Sequence, residues 1–410
     1  MNILIYAYNY HPEPIGIAPL MTELAEGLVQ RGHHVRVVTG MPNYPQRQIY
    51  EGYRGKLYVT EERNGVKIQR CFVWVRPKPG LVDRILLETS FVGTSFIQAL
   101  NGKRPDVILL TVPPLPASVP ATVFKWMQRA PVVLNLQDVL PEAAVVAGLL
   151  TNKALIRVFE SLERFSYRYA NQIAAISDGF VENLINKGVN PDKITLIPNW
   201  VDTDFIRPLD KENNSFRREQ GLDGKFIILY SGNIALTQGL ETLIQAAAQL
   251  LDLPDVAIVI VGEDQALGAL RDRRDEIGAT NVKLLPFQPR ERLPEMLSAA
   301  NVGMVMQKKT VIAINMPSKI QVLLASGLPI LASVPDAGTA AKAVQTSGGG
   351  WVVPPEDPEA IAQAIRQLKA APDTLEQLSQ QGRQYALDNY SFSEALDRYE
   401  TLFQTVIHES

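Results

Sequence analysis

The sequence predicts an α/β protein built from two doubly wound, Rossmann-like halves. Three observations predict it. The chain has 410 residues, more than one hydrophobic core usually supports. Short apolar, β-rich runs alternate with amphipathic helical stretches, the pattern of parallel sheets covered on both faces. That alternation also restarts past the middle of the chain, after a polar stretch.

The elements follow in order. Asn2–Tyr8 is a short apolar run without the basic region or cleavage site of a signal peptide, so it reads as a buried strand. Helix Pro19–Arg31 and strand His34–Thr39 come next. Asn64-Gly65, between Leu57–Thr60 and Val66–Cys71, predicts a hairpin, because both central positions of a tight turn need positive φ. Helix Val82–Leu100 leads to strand Val107–Leu110. The most apolar stretch, Val107 to Phe124, holds Pro113, Pro114, Pro116 and Pro120, which argue against a helix and so against a membrane span. Strands Val132–Asn135 and Gln172–Ala175 alternate with helices Asn152–Ala170 and Asp178–Lys187. The join falls at Ile197-Pro198-Asn199-Trp200-Val201-Asp202 and the polar run Asp210–Glu219. Beyond it lie strands at Phe226–Tyr230, Val256–Val261, Val282–Leu285, Val302–Met306 and Pro329–Ala332, with a helix at Gln238–Leu251. The last stretch, Ser391–His408, carries Phe392, Leu396, Tyr399, Leu402, Phe403 and Val406 at helical spacing.

Composition excludes several classes. A net charge of −3 removes the electrostatic case for nucleic acid as a partner. With Cys71 alone, neither a disulfide within the chain nor a cysteine-based metal site can form, which fits a reducing cytoplasm. His33 and His34 read as surface residues rather than metal ligands. Asp202-Thr203-Asp204 has the form of a metal–diphosphate motif, but its place at the join favours capping or anchoring.

In open α/β sheets, ligands bind beyond the carboxyl ends of strands, where glycines admit backbone and helix N-termini attract phosphate. Two turns have that form. One is His11-Pro12-Glu13-Pro14-Ile15-Gly16, before the first helix. The other is Ser231-Gly232-Asn233-Ile234-Ala235-Leu236-Thr237-Gln238-Gly239, after the first strand of the second half. Either glycine turn can also be a plain strand-to-helix connection. Met316-Pro317-Ser318-Lys319 is a third candidate: Pro317 suits a first helical turn, whereas a lysine there opposes the helix dipole unless an anion is near. Asp138, after strand Val132–Asn135, is a carboxylate at a strand end that could stabilise developing positive charge, with Glu142 behind it. An Asp in that position also serves as an ordinary helix cap.

Several segments together carry a family resemblance. They are Tyr230-Ser231-Gly232-Asn233, Gln238-Gly239-Leu240-Glu241, Val261-Gly262-Glu263, Pro317-Ser318-Lys319 and Ala325-Ser326-Gly327-Leu328-Pro329, with Ile197–Asp202 before them. In this order they resemble the retaining glycosyltransferases of family four, in the branch that builds exopolysaccharide, capsule and O-antigen, similar to colanic-acid and N-acetylfucosaminyl transferases. The resemblance implies a GT-B architecture of two Rossmann-like domains facing a central cleft. It implies domains over 1–203 and 204–390, and a closing helix over 391–410 that returns to the first. It also implies retaining transfer from a nucleoside diphosphate sugar, UDP- in preference to GDP-linked, to a glycan or polyprenyl-linked acceptor. No cofactor or metal is expected, and a cytoplasmic location with peripheral contact to the inner membrane face is.

The resemblance also assigns residues. Gly16, Gly232, Asn233, Gln238, Gly262, Glu263, Phe287, Pro317, Ser318 and Lys319 fall on the donor side, and His11 and Glu13 on the acceptor side. Asp138 and Glu142 are the catalytic carboxylates. Apart from the resemblance, Trp74 and Arg76, before Pro77-Lys78-Pro79, could flank a lipid-linked acceptor. The family's paired glutamates fall on Ile314 and Val322, and its Arg and Lys after the second glycine turn on Asn233 and Gln238, leaving Lys319 as the cation for the diphosphate. The rival readings are a nucleotide-sugar epimerase or hydrolase of the same fold, and a non-catalytic sugar-binding protein.

Overall fold

The computed structural model describes residues 1–14, 16–139, 152–211, 213–311 and 316–409. They form two compact units, Met1–Asn199 with Leu396–Ser410, and Trp200–Ala395. Both are parallel-sheet α/β units.

The first unit holds β1 (Asn2–Tyr6), β2 (His34–Gly40), β3 (Tyr58–Arg63), β4 (Val66–Cys71), β5 (Val107–Val112), β6 (Val132–Leu136), β7 (Gln172–Ala175) and β8 (Ile194–Leu196). Their order is β3-β4-β2-β1-β5-β6-β7-β8. Only the hairpin β3–β4 is antiparallel, and its turn has positive φ at both Asn64 (48°) and Gly65 (80°), as the sequence predicts. β1 pairs with β2 on one side and β5 on the other. The chain therefore leaves β1 in opposite directions, and the crevice this opens lies beyond the carboxyl ends of β1 and β5.

The proline-rich stretch departs from expectation. It gives strand β5 and then a helix, Ser118–Gln128, that includes Pro120. Pro120 stands in the first helical turn, where its missing N–H has no partner to lose, so proline number misleads where proline position decides.

The second unit holds β9 (Phe226–Ser231), β10 (Val256–Gly262), β11 (Val282–Pro286), β12 (Val302–Met306), β13 (Ile330–Ser333) and β14 (Gly350–Val353), in the order β11-β10-β9-β12-β13-β14. All five neighbouring pairs are parallel. Along β9, Ile227 and Leu229 join one apolar cluster and Ile228 and Tyr230 the other, so both sheet faces are buried. β9 again has its successor β10 on one side and β12 on the other, and the switch point lies between β9 and β12.

The closing helix, Phe392–His408, buries Leu396, Tyr399, Leu402, Phe403 and Val406. Its Glu400 pairs with Arg31 and lies 2.6 Å from His33 Nε2, while Arg31 also reaches Asp397 at 2.6 Å. His33 is therefore part-buried against Glu400 rather than the surface residue expected. Its partner arrives from the far end of the chain.

Candidate functional site

In the second unit the site is built at the β9–β12 switch point. β9 ends at Ser231, and Gly232 follows with φ 144°, a conformation that side chains disfavour. Gly232 N–H donates to Val261 O at 3.1 Å, which folds the turn over the end of β10. Tyr230 Oη donates to Asn233 O at 2.7 Å. Gln238 Oε1 accepts from Ala235 N–H at 3.0 Å and Thr237 Oγ1 at 3.3 Å. Gln238 thus closes the loop from within, where the family places a cation. The loop ends at Gly239, φ 64°, which starts helix Leu240–Ala248 without a side-chain cap.

Lys319 comes to this turn from the helix Lys319–Ala325. Its Nζ lies 3.7 Å from the centre of the Tyr230 ring, and a side chain at Gly232 would come within 3.2 Å of it. The ammonium is enclosed and, among the described residues, has no hydrogen-bond partner. Burial pulls its pKa down from 10.5 to about 7. Pro317 O accepts from Ile320 N–H at 3.0 Å, so the turn begins at Pro317, one residue before the exposed Ser318 that precedes the helix. Val322, on a family glutamate position, packs against the apolar core; Ile314 lies outside the described residues.

A second cation, which sequence reasoning missed, stands beside the loop. Lys308, just past β12, donates its backbone N–H to Thr237 O at 2.8 Å. Its Cγ would lie 3.1 Å and its Cε 3.4 Å from a Cβ on Gly239, so its stem covers the start of helix Leu240–Ala248. The available signal was the pair Lys308-Lys309 directly after a buried strand, on the edge where ligands bind.

Gly262 and Glu263 close β10, with Glu263 exposed at the start of helix Asp264–Glu276. Phe287 follows β11 and is 54% exposed on the same sheet edge, as an aromatic platform would be. A Cβ on Gly262 would lie 2.6 Å from Ile234 Cγ1 and 3.2 Å from Gly232 O. Gly262→Ala is therefore expected to displace the Gly232 turn and weaken nucleotide binding about tenfold, since overpacking costs about 1–3 kcal/mol. Titration with UDP checks it.

In the first unit, Gly16 has φ 72° and opens helix Ile17–Gln30, with no atom within 4 Å of where a Cβ would stand. Backbone sign, not crowding, asks for glycine here. Glu13 is buried, and its oxygens accept from Asn43 N–H and Tyr44 N–H, both at 2.8 Å, and from Asn9 Nδ2 at 2.6 Å. Its carboxylate is thus occupied in tying loops together. His11 Nε2 lies 3.1 Å from Arg63 Nη1. Desolvation, then the cations Arg63 and Arg70, lower the His11 pKa, so the ring is neutral and accepts Arg63's proton. Asp138, just past β6, accepts from Val139 N–H at 2.9 Å, and burial raises its pKa against that hydrogen bond. Glu142 lies outside the described residues.

Among the described residues no cluster of His, Cys, Asp or Glu could hold a metal ion. Asp202 Oδ1 accepts from Asp204 N–H at 3.1 Å and Phe205 N–H at 2.9 Å, the anchoring role expected of that segment.

Two parallel-sheet units, each with a glycine turn at a topological switch point and one with an enclosed lysine there, have the form of two-unit α/β proteins that bind nucleotides at their strand ends. Residues 16–200 match the glycosyl transferase 4-like domain and residues 212–385 the glycosyl transferases group 1. WcaI of Escherichia coli K12, named for colanic acid biosynthesis as a glycosyl transferase, is 32% identical over 91% of this chain and 93% of its own. WbjE of Pseudomonas aeruginosa, named as a glycosyltransferase, is 26% identical over 76% of this chain and 75% of its own. Anabaena HepE in complex with UDP superposes with a TM-score of 0.72 at 16% identity, covering 99% of this chain and 100% of its own. The chain belongs to the family-four-like glycosyltransferases of GT-B fold.

Proposed function

We propose that this glycosyltransferase moves a sugar from a nucleoside diphosphate sugar, UDP- rather than GDP-linked, to a glycan or polyprenyl-linked acceptor in surface or exopolysaccharide synthesis, with retention at the anomeric carbon. The observation that carries the reading is the enclosed Lys319 ammonium under the Gly232 turn, which has no hydrogen-bond partner among the described residues. A buried cation without a counter-charge is unfavourable by itself, and a diphosphate would supply one. Lys308 adds charge beside the same loop, in place of the cations missing at Asn233 and Gln238. Glu263 and Phe287 meet the nucleoside, and Asp138 faces the positive charge that develops on the sugar. On the acceptor side, Glu13 fixes the loops and His11 offers a neutral ring. Solved complexes of HepE with UDP and with UDP-glucose support the choice of base, and the colanic-acid relative supports the process.

Incubation with a panel of UDP- and GDP-sugars, with and without polyprenyl-linked saccharides, tests the reading through diphosphate release. Release that needs an acceptor is expected. Turnover of donor without acceptor points instead to an epimerase or hydrolase, and binding without turnover to a sugar-binding protein.

Activity is expected to persist in excess EDTA, because lysines and backbone N–H groups stand where a metal would neutralise the diphosphate. Loss of turnover in EDTA, restored by Mg²⁺ or Mn²⁺, would reinstate Asp202 and Asp204 as metal ligands. Among the described residues no helix is long and apolar enough to cross a membrane. On this reading transfer takes place at the cytoplasmic face, where the protein meets a lipid-linked acceptor by peripheral contact.

A further inference from the structure

Two loops on the carboxyl edge of the second sheet hold the chain at Lys308 and Lys309, just past β12. Lys308 N–H donates to Thr237 O at 2.8 Å, in the Gly232–Gly239 loop after β9. Lys309 N–H donates to Glu356 Oε2 at 3.0 Å, in the loop after β14. The root of the segment is fixed as well, since Gln307 N–H donates to Ser333 O at 2.9 Å. β13 lies between β12 and β14 in the sheet, and all three run parallel. The Glu356 side chain therefore crosses the carboxyl end of β13 to reach Lys309.

Glu356 does this from an unfavourable backbone. Its φ is 57°, in the left-handed region where glycine fits and a glutamate is strained. The turn is pinned on both sides of it by other groups. Ser333 Oγ donates to Pro354 O at 3.1 Å, and Asp357 caps helix Pro358–Ala370 by accepting from Ala360 N–H at 2.9 Å. Turn geometry alone asks for glycine at this position. A carboxylate here also places negative charge on the edge where an anionic donor binds. Neither the strain nor the charge is explained by the stability of the turn, whereas the bond to Lys309 N–H accounts for both.

We propose that Glu356 is a positioning residue for the donor: by holding Lys309 N–H it sets Lys308 against the Gly232–Gly239 loop, where the Lys308 stem lies over Gly239. The inference rests on the donor reading above and goes beyond it by naming what holds the second lysine in place. Glu356 acts through Lys308 and does not itself meet the diphosphate. Its charge alone would repel that group, so charge and positioning predict opposite signs when the carboxylate is removed.

The test is titration with UDP and with GDP of the parent, Glu356→Ala, Glu356→Gly, Glu356→Gln and Lys308→Met, and of Lys308→Met combined with Glu356→Ala. The parent is expected to bind one of the two nucleotides. Glu356→Ala and Glu356→Gly should weaken it alike, about 3- to 10-fold, the range of one hydrogen bond. Glu356→Gln keeps an oxygen for Lys309 N–H and should bind close to the parent. Lys308→Met should weaken binding too, and adding Glu356→Ala to it should cause no further loss, because the two act as one unit. Glu356→Gly should melt above Glu356→Ala, since only alanine keeps the backbone strain. That split between stability and affinity is one a merely structural residue would not give. Unchanged or tighter binding in Glu356→Ala overturns the assignment, as does full binding by Glu356→Gly, which would trace the effect to the backbone. It is also overturned by a Glu356→Gln as weak as Glu356→Ala, by an unaffected Lys308→Met, or by a further loss in the double variant. A parent that binds neither nucleotide overturns the donor reading and this inference with it; every other adverse result leaves the donor reading standing.

Discussion

Lys319→Met is expected to weaken UDP binding about 10- to 100-fold and, in the same molecule, to raise the melting temperature. Both effects have one cause. The ammonium is enclosed over the Tyr230 ring with no hydrogen-bond partner among the described residues, and burial lowers its pKa from 10.5 to about 7. Between those two values the unfolded chain binds more protons than the folded one, so stability rises with pH across that window. Below pH 7 the unfavourable contribution is fully present; above 10.5 it vanishes. The gain from Lys319→Met should therefore be on the order of a few kcal/mol below neutrality and fade toward alkaline pH. Thermal melts of both proteins across that range check it.

Binding gives an independent reading of the same group. A diphosphate supplies the missing counter-charge and restores the ordinary lysine pKa. Near pH 8 binding should then take up most of one proton per UDP, because a group of pKa about 7 is largely unprotonated there. Calorimetry in buffers of different ionisation enthalpy measures it. An unchanged UDP affinity in Lys319→Met, with no proton uptake by the parent, would mean that Lys308 and backbone N–H groups hold the diphosphate unaided.

Asp138→Asn is expected to lower turnover about 100- to 1,000-fold while UDP affinity stays within a factor of about two. The carboxylate stands past β6, held by the Val139 N–H and partly desolvated, where its charge is screened less than on the surface. Such a charge acts on the positive character of the transition state and little on the neutral ground state. Burial raises the Asp138 pKa above 3.8, so turnover should fall with acid from a higher pH than an exposed aspartate would give. That acid limb should be missing from Asp138→Asn. The stability sign is opposite to that of a paired carboxylate. A raised pKa favours the folded state below 3.8 and loses that contribution as pH rises through the folded value. Asp138→Asn should thus melt at or above the parent temperature at neutral pH. A variant that loses UDP affinity in proportion to turnover would reduce Asp138 to a loop anchor.

Much of the fold was legible because its signals are local. Apolar runs of strand length, the Asn64-Gly65 turn and the glycine turns after β1 and β9 each follow from residues adjacent in sequence, where φ preference and side-chain period act directly. The ordered segments from Ile197 to Pro329 marked the family for the same reason. The edge on which ligands bind was legible too, since parallel strands put all their carboxyl ends together.

Contacts between distant segments were decided elsewhere. That Gln238 Oε1 is taken up within its own loop by Ala235 N–H could not be read from the sequence. Lys308 became a site residue only when β12 took its place beside β9, and His33 left the surface only when Glu400 arrived from the closing helix. Pro120 was misread because its meaning depends on where the helix begins. The sequence by itself determined the two parallel-sheet halves, the glycine turns and the family, because backbone preference and hydrophobic period are properties of neighbours. Only the tertiary structure decided which polar groups are already satisfied and which charge, at Lys319, is left enclosed without a hydrogen-bond partner among the described residues. Burial and hydrogen-bond satisfaction depend on atoms brought together by the whole fold.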